Sequence, residues 1–376
     1  MNESVVVGDV RGVPGQIVYG AFPGVALPTG GRDDLPVIIA QGKRAGPVLW
    51  VTGSIHGNEH SGLAVIHRLL GPGGVDFPVN ELSGAVVMIP TLNPAGLRTE
   101  SRSPYYSRGA DPNRMFPAPE RPHTRTNAFP EGPPASAMES VYERLFASIE
   151  ATADYLIDLH NAVIGSIPFA FRDPIYYAGE RDRVAARRLQ IRNDEMMAAF
   201  GLPIINEFPS VEYIKKNLHR SVSGSVLNRA RRPAFTAELG GYLHVDLLAR
   251  DAAVVGLRNV MRWAGMLSGE PEPLPPIPFP EVDFPVRRIM YPRAPQSGIV
   301  THLVDAGDPV RQGDAVARLT DIYGRPLGPD NGLLRTEYDG FVVGRMQGKV
   351  YYENEPVLWL AVRDDGDLLL PYPDDR

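Results

Sequence analysis

His56 and Glu59 stand three residues apart immediately after an apolar run, Val48-Leu-Trp-Val-Thr-Gly-Ser-Ile55. An imidazole and a carboxylate on one strand-to-helix turn can converge on a single cation. Catalytic zinc sites commonly combine two histidines with one glutamate and keep a fourth position for water. Taken alone the pair is unspecific, because His-x-x-Glu arises by chance and exposed loop residues satisfy it equally well. Two further groups change that. His160 ends a second apolar run, Tyr155-Leu-Ile-Asp-Leu-His160, and Glu238 lies in Ala234-Phe-Thr-Ala-Glu-Leu-Gly-Gly241. His160 completes a His-Glu-His set, which leaves Glu238 free to act as general base on a metal-bound water of lowered pKa. The segment after residue 96 adds Arg98, Arg102, Arg108, Asn113 and Arg114. That is enough guanidinium to bind a carboxylate bidentately and to stabilise an oxyanion.

These residues need elements that bring them to one place. The run at 48–55 reads as a buried strand, and Leu63, Ala64, Ile66, His67, Leu69 and Leu70 give the face of a following helix. Gly84 to Asn93 is another buried strand ending in the turn Asn93-Pro-Ala-Gly96. Residues 135–151 carry apolar side chains at Met138, Val141, Tyr142, Leu145, Phe146 and Ile149, the rhythm of an amphipathic helix. Further helices are expected over 179–200, 221–231 and 245–267, with a short strand at 203–207. Strands alternating with helices imply an α/β fold, a mostly parallel mixed sheet with helices on both faces. In such sheets ligands sit at the carboxyl ends of strands, where His56, His160 and Glu238 fall. Residues 1–45 read as short strands at a sheet edge. The aperiodic stretch 96–134 reads as an active-site wall.

Composition narrows the chemistry. The chain has 376 residues, enough for one domain of ordinary size and a small one, with 43% hydrophobic and 22% charged residues. A net charge of −6 without a basic run recommends neither nucleic acid nor an anionic membrane as partner. With no cysteine, disulfides, thiolate ligands and thiol nucleophiles are excluded, and a metal must be held by His and carboxylates. No apolar segment is long enough to span a membrane and no leader is evident, so a cytoplasmic setting is expected. A proline-rich linker over 269–286 separates an expected catalytic domain, 1–268, from a C-terminal segment, 287–376. Short strands divided by Gly-Asp turns make that segment a small all-β barrel-sandwich.

Four strings in order carry a resemblance: His56-Gly-Asn-Glu59, the stretch from Arg102-Ser-Pro to Asp111-Pro-Asn-Arg-Met-Phe-Pro117, Asp158-Leu-His160 and Thr236-Ala-Glu-Leu-Gly-Gly241. Together they resemble the succinylglutamate desuccinylase/aspartoacylase family, a branch of the zinc-carboxypeptidase-like fold, with the nearest look to deacetylases of N-acetylated diamino acids. The resemblance implies one zinc ion held by His56, Glu59 and His160, with Glu238 as general base. It implies that Asn113 and Arg114 grip the substrate α-carboxylate and that Arg102 stabilises the oxyanion, with Arg108 or Arg98 as alternatives because this loop is one residue longer than usual. It also implies a substrate-contacting tyrosine among Tyr176, Tyr177, Tyr213 and Tyr242. The C-terminal strings Asp305-Ala-Gly-Asp-Pro-Val310 and Asp339-Gly-Phe-Val342 are similar to lipoyl and biotinyl carrier domains. The hairpin tip Thr320-Asp-Ile-Tyr-Gly-Arg325 has no lysine to carry a group, so the segment is expected to cover the pocket mouth instead.

The function expected is a zinc amidohydrolase that removes an acetyl or succinyl group from a small N-acyl amino acid. Two other functions share the fold: a zinc carboxypeptidase acting on peptides, and a catalytically silent ligand-binding protein. Iron, cobalt or manganese suit the same nitrogen and oxygen donors. The acyl group and the oligomeric state, a homo-oligomer included, stay open.

Overall fold

The computed structural model describes residues 4–118, 136–277 and 279–372. Twelve strands form one continuous sheet: β1 (Gln16–Ala26), β2 (Arg32–Gln41), β3 (Arg44–Gly53), β4 (Ser83–Ile89), β5 (Tyr155–Ala162), β6 (Phe169–Arg172), β7 (Ile204–Asn206), β8 (Ala234–Gly241), β9 (Val286–Met290), β10 (Pro309–Val310), β11 (Gly340–Arg345) and β12 (Leu358–Arg363). Their spatial order is β10-β11-β12-β9-β7-β6-β8-β5-β3-β4-β2-β1. The centre, β4-β3-β5-β8, is parallel. An antiparallel hairpin, β1 with β2, closes one side, and β6 runs antiparallel to β8.

Helices cover both faces, which is why the central strands are apolar on both. α1 (Ser61–Leu70), α2 (Ala137–Thr152), α3 (Gly179–Phe200) and α4 (Leu247–Trp263) are the long ones. α2 begins at a reciprocal cap between Ser136 and Glu139. It buries Met138, Val141, Tyr142, Leu145, Phe146 and Ile149, the face read from the periodicity, against Trp50 and Leu156. α1, α3 and α4 pack on the opposite face with Leu49, Val51, Ile157 and Leu159. Successive strand residues thus point to opposite layers. The helix expected over 221–231 is a short helix, Val222–Ser225, running into a π-helical turn, Val226–Ala230. The stretch after residue 96 contains single helical turns at Tyr105–Ser107 and Pro112–Arg114. The remainder of the expected wall, 119–134, lies outside the described residues.

The C-terminal strands do not stand apart from the first sheet. β9 joins β7 in parallel at Asn206 and Arg287, and β10, β11 and β12 continue outward from it. A second sheet of Leu333–Arg335, Ala315–Thr320, Gly298–His302 and Val350–Tyr351 packs against these strands through Val300, Leu319, Val342 and Leu360. An apolar cluster of Phe169, Phe171, Ile205, Val286, Phe341 and Trp359 ties both parts together. Among the described residues no helix is long and apolar enough to cross a membrane.

Candidate active site

Three neighbouring strands carry polar side chains on one face near their carboxyl ends. Thr52 of β3 is in register with Asp158 of β5, which is in register with Thr236 of β8, and two residues on His160 faces Glu238. A period of two puts Asp158 with His160, and Thr236 with Glu238, on the same side. His56 and Glu59 follow β3 on the turn that leads into α1. Ser54 enters that turn with a left-handed backbone, φ 46°, and its hydroxyl donates to Glu59 O at 2.8 Å. Gly57 is required where the turn meets the Gly96–Leu97 backbone, because a Cβ there would collide with main-chain atoms.

His56, Glu59 and His160 are buried and present donor atoms within 4.8 Å of one another. Glu59 bridges the imidazoles: Oε1 lies 2.7 Å from His56 Nδ1 and Oε2 lies 2.8 Å from His160 Nδ1. Each histidine has a carboxylate behind it. His160 Nε2 lies 2.7 Å from Asp158 Oδ2, and His56 Nε2 lies 2.9 Å from Asp111 Oδ1. A carboxylate on Nε2 keeps the proton there and turns the Nδ1 lone pair toward Glu59, the arrangement of metal-ligating histidines. Burial works against charge on Glu59, but the two imidazoles outweigh it and hold its carboxyl far below the usual range. Burial likewise opposes a charge on His160, yet Asp158 and Glu59 raise its pKa well above the ordinary value. A field that retains a proton between these carboxylates is one that a divalent cation can take over by displacing that proton. The donor set therefore fits zinc.

Glu238 faces the same cavity. Its Oε2 is buried without a hydrogen-bond partner among the described residues. Burial pushes its carboxyl up to about 7, with His160 opposing and Glu59 reinforcing the shift. Arg102, half-exposed at the mouth, places Nη1 3.3 Å from Glu59 Oε1 and Nη2 2.9 Å from Asp111 Oδ2. Asn113 accepts the Val222 N–H at 2.9 Å and directs Nδ2 to within 3.5 Å of His160 Nε2. Arg114 lines the cavity while donating to Lys216 O and Asn113 O at 2.9 and 2.6 Å.

The alternatives among the arginines separate clearly. Arg98 turns away to Asp33 at 2.5 Å. Arg108 occupies an exposed left-handed turn, φ 53°, and is not among the residues lining the cavity. The structure therefore does not bring Arg108 to the cavity with the other expected residues. Of the four tyrosines, Tyr242 lines the cavity, whereas the Tyr176 hydroxyl donates to Ser210 O at 3.2 Å and Tyr213 is wholly buried.

The cavity measures about 640 Å³, and Arg288, Met290, Met346 and Trp359 bring the C-terminal strands to its wall. Sequence reasoning passed over three contributors besides these. Asp111 and Asp158 sat inside the quoted strings as turn and strand residues, and only their spacing from the histidines hinted at more. Asn161 donates its backbone N–H to Glu59 Oε2 at 3.0 Å, and its side-chain amide reaches Ser61 Oγ and Gly241 O, both at 2.8 Å. It ties the carboxyl ends of β5 and β8 to the start of α1.

Comparison with known proteins shows the family and the fold. The model of the succinylglutamate desuccinylase/aspartoacylase catalytic domain matches residues 45–264. The N-alpha-acetyl-L-2,4-diaminobutyric acid deacetylase of Halomonas elongata is 24% identical over 317 residues, covering 83% of this chain and 80% of that one. A succinylglutamate desuccinylase structure from Silicibacter sp. TM1040 superposes with a TM-score of 0.69 at 21% identity over 93% of this chain and 95% of its own. The product-bound ectoine utilization protein EutE (DoeB) from Ruegeria pomeroyi gives 0.69 at 21% identity over 92% and 95%. The chain belongs to the succinylglutamate desuccinylase/aspartoacylase family.

Proposed function

We propose that this protein is a zinc-dependent amidohydrolase that removes the N-acyl group, acetyl or succinyl, from a small amino acid. The observation that carries the reading is the convergence of His56, Glu59 and His160 with the orphaned carboxylate oxygen of Glu238 in one cavity. His56 Nδ1, Glu59 and His160 Nδ1 would hold the ion. Zinc, when bound, polarises the acyl carbonyl and makes water nucleophilic near neutral pH.

The chain's own residues do the rest. Glu238 takes the proton from the attacking water and passes it to the departing amine, a task suited to a carboxyl poised near 7. Arg102, oriented by Glu59 and Asp111, points a fixed positive charge at the oxygen where negative charge develops. Asn113 and Arg114, held by Val222 N and Lys216 O, bind the substrate α-carboxylate. Arg288, Met290, Met346 and Trp359 wall the cavity from the C-terminal side, which favours a small substrate over an extended peptide. A 24% identical relative is named as a deacetylase of an N-acetyl amino acid, in keeping with this reaction type.

The test is release of free amine from a panel of N-acetyl and N-succinyl amino acids, run beside peptides with free C-termini. Turnover of at least one N-acyl amino acid and of none of the peptides is expected. Cleavage of peptides alone would replace this reading with a carboxypeptidase.

A further inference from the structure

Arg102 is fixed from its backbone as well as from its side chain. Its carbonyl accepts two N–H groups, from Gly57 and from Asn93 Nδ2, both at 3.3 Å. Asn93 is fully buried and is not among the residues lining the cavity. Its side-chain amide meets three segments at once. Nδ2 also donates to the carbonyl of Ile55, the residue before His56, at 3.1 Å, and Oδ1 accepts the Gly96 N–H at 2.8 Å, capping the short helix Pro94–Arg98. Gly96 leaves room for this, since a Cβ there would stand 2.3 Å from Nδ2. The backbone of Asn93 is tied to the same turn: its N–H donates to Thr91 Oγ1 at 3.0 Å, and the Thr91 hydroxyl donates to Ser54 O at 3.1 Å.

Two carbonyls on one side and an N–H on the other fix which way the amide points. Ile55 O, on the turn that carries His56 and Glu59, and Arg102 O, on the arginine loop, thus share one nitrogen. A buried carbonyl that loses its donor is costly. Asp or Ser would cap the helix equally well, but neither has an NH2 group that reaches both carbonyls. The need for Asn lies in the donor, which is the part that joins the two loops.

We propose that Asn93 is a positioning residue for the hydrolysis: it registers the loop of Arg102 against the turn of His56 and Glu59, although it lines no part of the cavity itself. This rests on the deacylase reading above. Arg102 acts only if its charge lies where negative charge develops, and a misplacement of about 1 Å costs about 10²-fold. Without the amide the loop is free to shift as a unit, because the neighbouring tie, Ser101 N–H to Gly96 O at 3.0 Å, runs back to the same short helix that Asn93 caps.

The experiment is a double-mutant cycle on the zinc-loaded enzyme: wild type, Asn93→Ser, Arg102→Ala and the pair, with kcat and KM read on the N-acyl amino acid that the wild type hydrolyses fastest. Asn93→Ser is expected to lower kcat about 10²-fold with KM within about threefold, and to cost less than about fivefold in the Arg102→Ala background. An equal cost in both backgrounds, an unchanged kcat, or a loss carried by KM would overturn the proposal. Asn93→Asp, which keeps the shape and the cap but removes the donors, is read in the same way if the serine variant does not fold. Hydrogen exchange, followed by mass spectrometry over residues 55–59, reads the tie without turnover. Exchange there about tenfold faster in the variant, with β12 unchanged, supports the tie even if the wild type hydrolyses no N-acyl amino acid, an outcome that would sink the deacylase reading alone. Unchanged exchange over 55–59, or a rise shared with β12, overturns it.

Discussion

Asp158 lies 2.7 Å from His160 Nε2 through one carboxylate oxygen and accepts the Thr52 hydroxyl at 2.7 Å through the other. It therefore fixes both the tautomer and the tilt of a proposed ligand from two residues earlier on the same strand. Asp158→Asn keeps the shape but removes the charge, and we expect zinc affinity to fall about 10- to 100-fold. Competition with a fluorescent chelator measures this; an unchanged dissociation constant would deny Asp158 its role.

Arg102 touches Glu59 and Asp111 but is half-exposed, so its truncation leaves the fold intact. Arg102→Ala is expected to lower kcat by about 10²- to 10³-fold with zinc content unchanged. A loss confined to KM would move Arg102 from the oxyanion to ground-state binding.

The base assignment carries a pH signature. Glu238 works only when ionised, and burial raises its carboxyl to about 7, while a nearby metal cation lowers it again. The kcat/KM profile is expected to rise with pH along an acid limb whose apparent pKa lies at or below that value. Replacing zinc with a metal of different Lewis acidity should shift the limb. An acid limb that persists unchanged in Glu238→Gln would contradict the assignment.

Asp173 makes the opposite kind of prediction, one about stability. Its folded pKa of about 7 exceeds its ordinary value of 3.8, so between these values the folded chain binds more protons than the unfolded one. Stability from this group is present in acid and declines as pH rises through that window. The metal-free protein is expected to melt at a lower temperature at pH about 8 than at pH about 6, and Asp173→Asn should flatten the difference. A variant with the full wild-type dependence would place the effect elsewhere.

Gly57 is expected to be intolerant of a side chain. A methyl would drive the 56–59 turn off the Gly96–Leu97 backbone and strain the Gly57 N–H to Arg102 O bond of 3.3 Å. Gly57→Ala should cost about 1–3 kcal/mol, read as a lower denaturation midpoint, and should weaken zinc binding. Wild-type values for both would show that the turn adapts.

Much of this site was legible because apolar runs at 48–55 and 155–160 mark strands, and a polar residue at a strand's end has few bland uses. The α2 face was equally legible, since its period is local. What escaped depends on pairings that no local pattern encodes. Asp158 sits in an apolar strand, and its purpose is visible only once register sets Thr52 beside it. Arg288 reaches the cavity because β9 adds to β7 at a single residue pair, a contact across the proline-rich stretch that a reading as separate domains does not suggest. The place of Arg108 is not legible either, because sequence spacing counts residues and does not show the left-handed backbone that this residue adopts on the loop.

The most direct test is a zinc titration in which bound metal and amine release are read on the same samples for wild type and Glu238→Gln. One zinc per chain in both proteins, with turnover rising in step with zinc in the wild type and lower by about 10²- to 10⁴-fold in the variant, is the predicted result. Turnover without metal, or a Glu238→Gln enzyme as fast as wild type, would contradict the account.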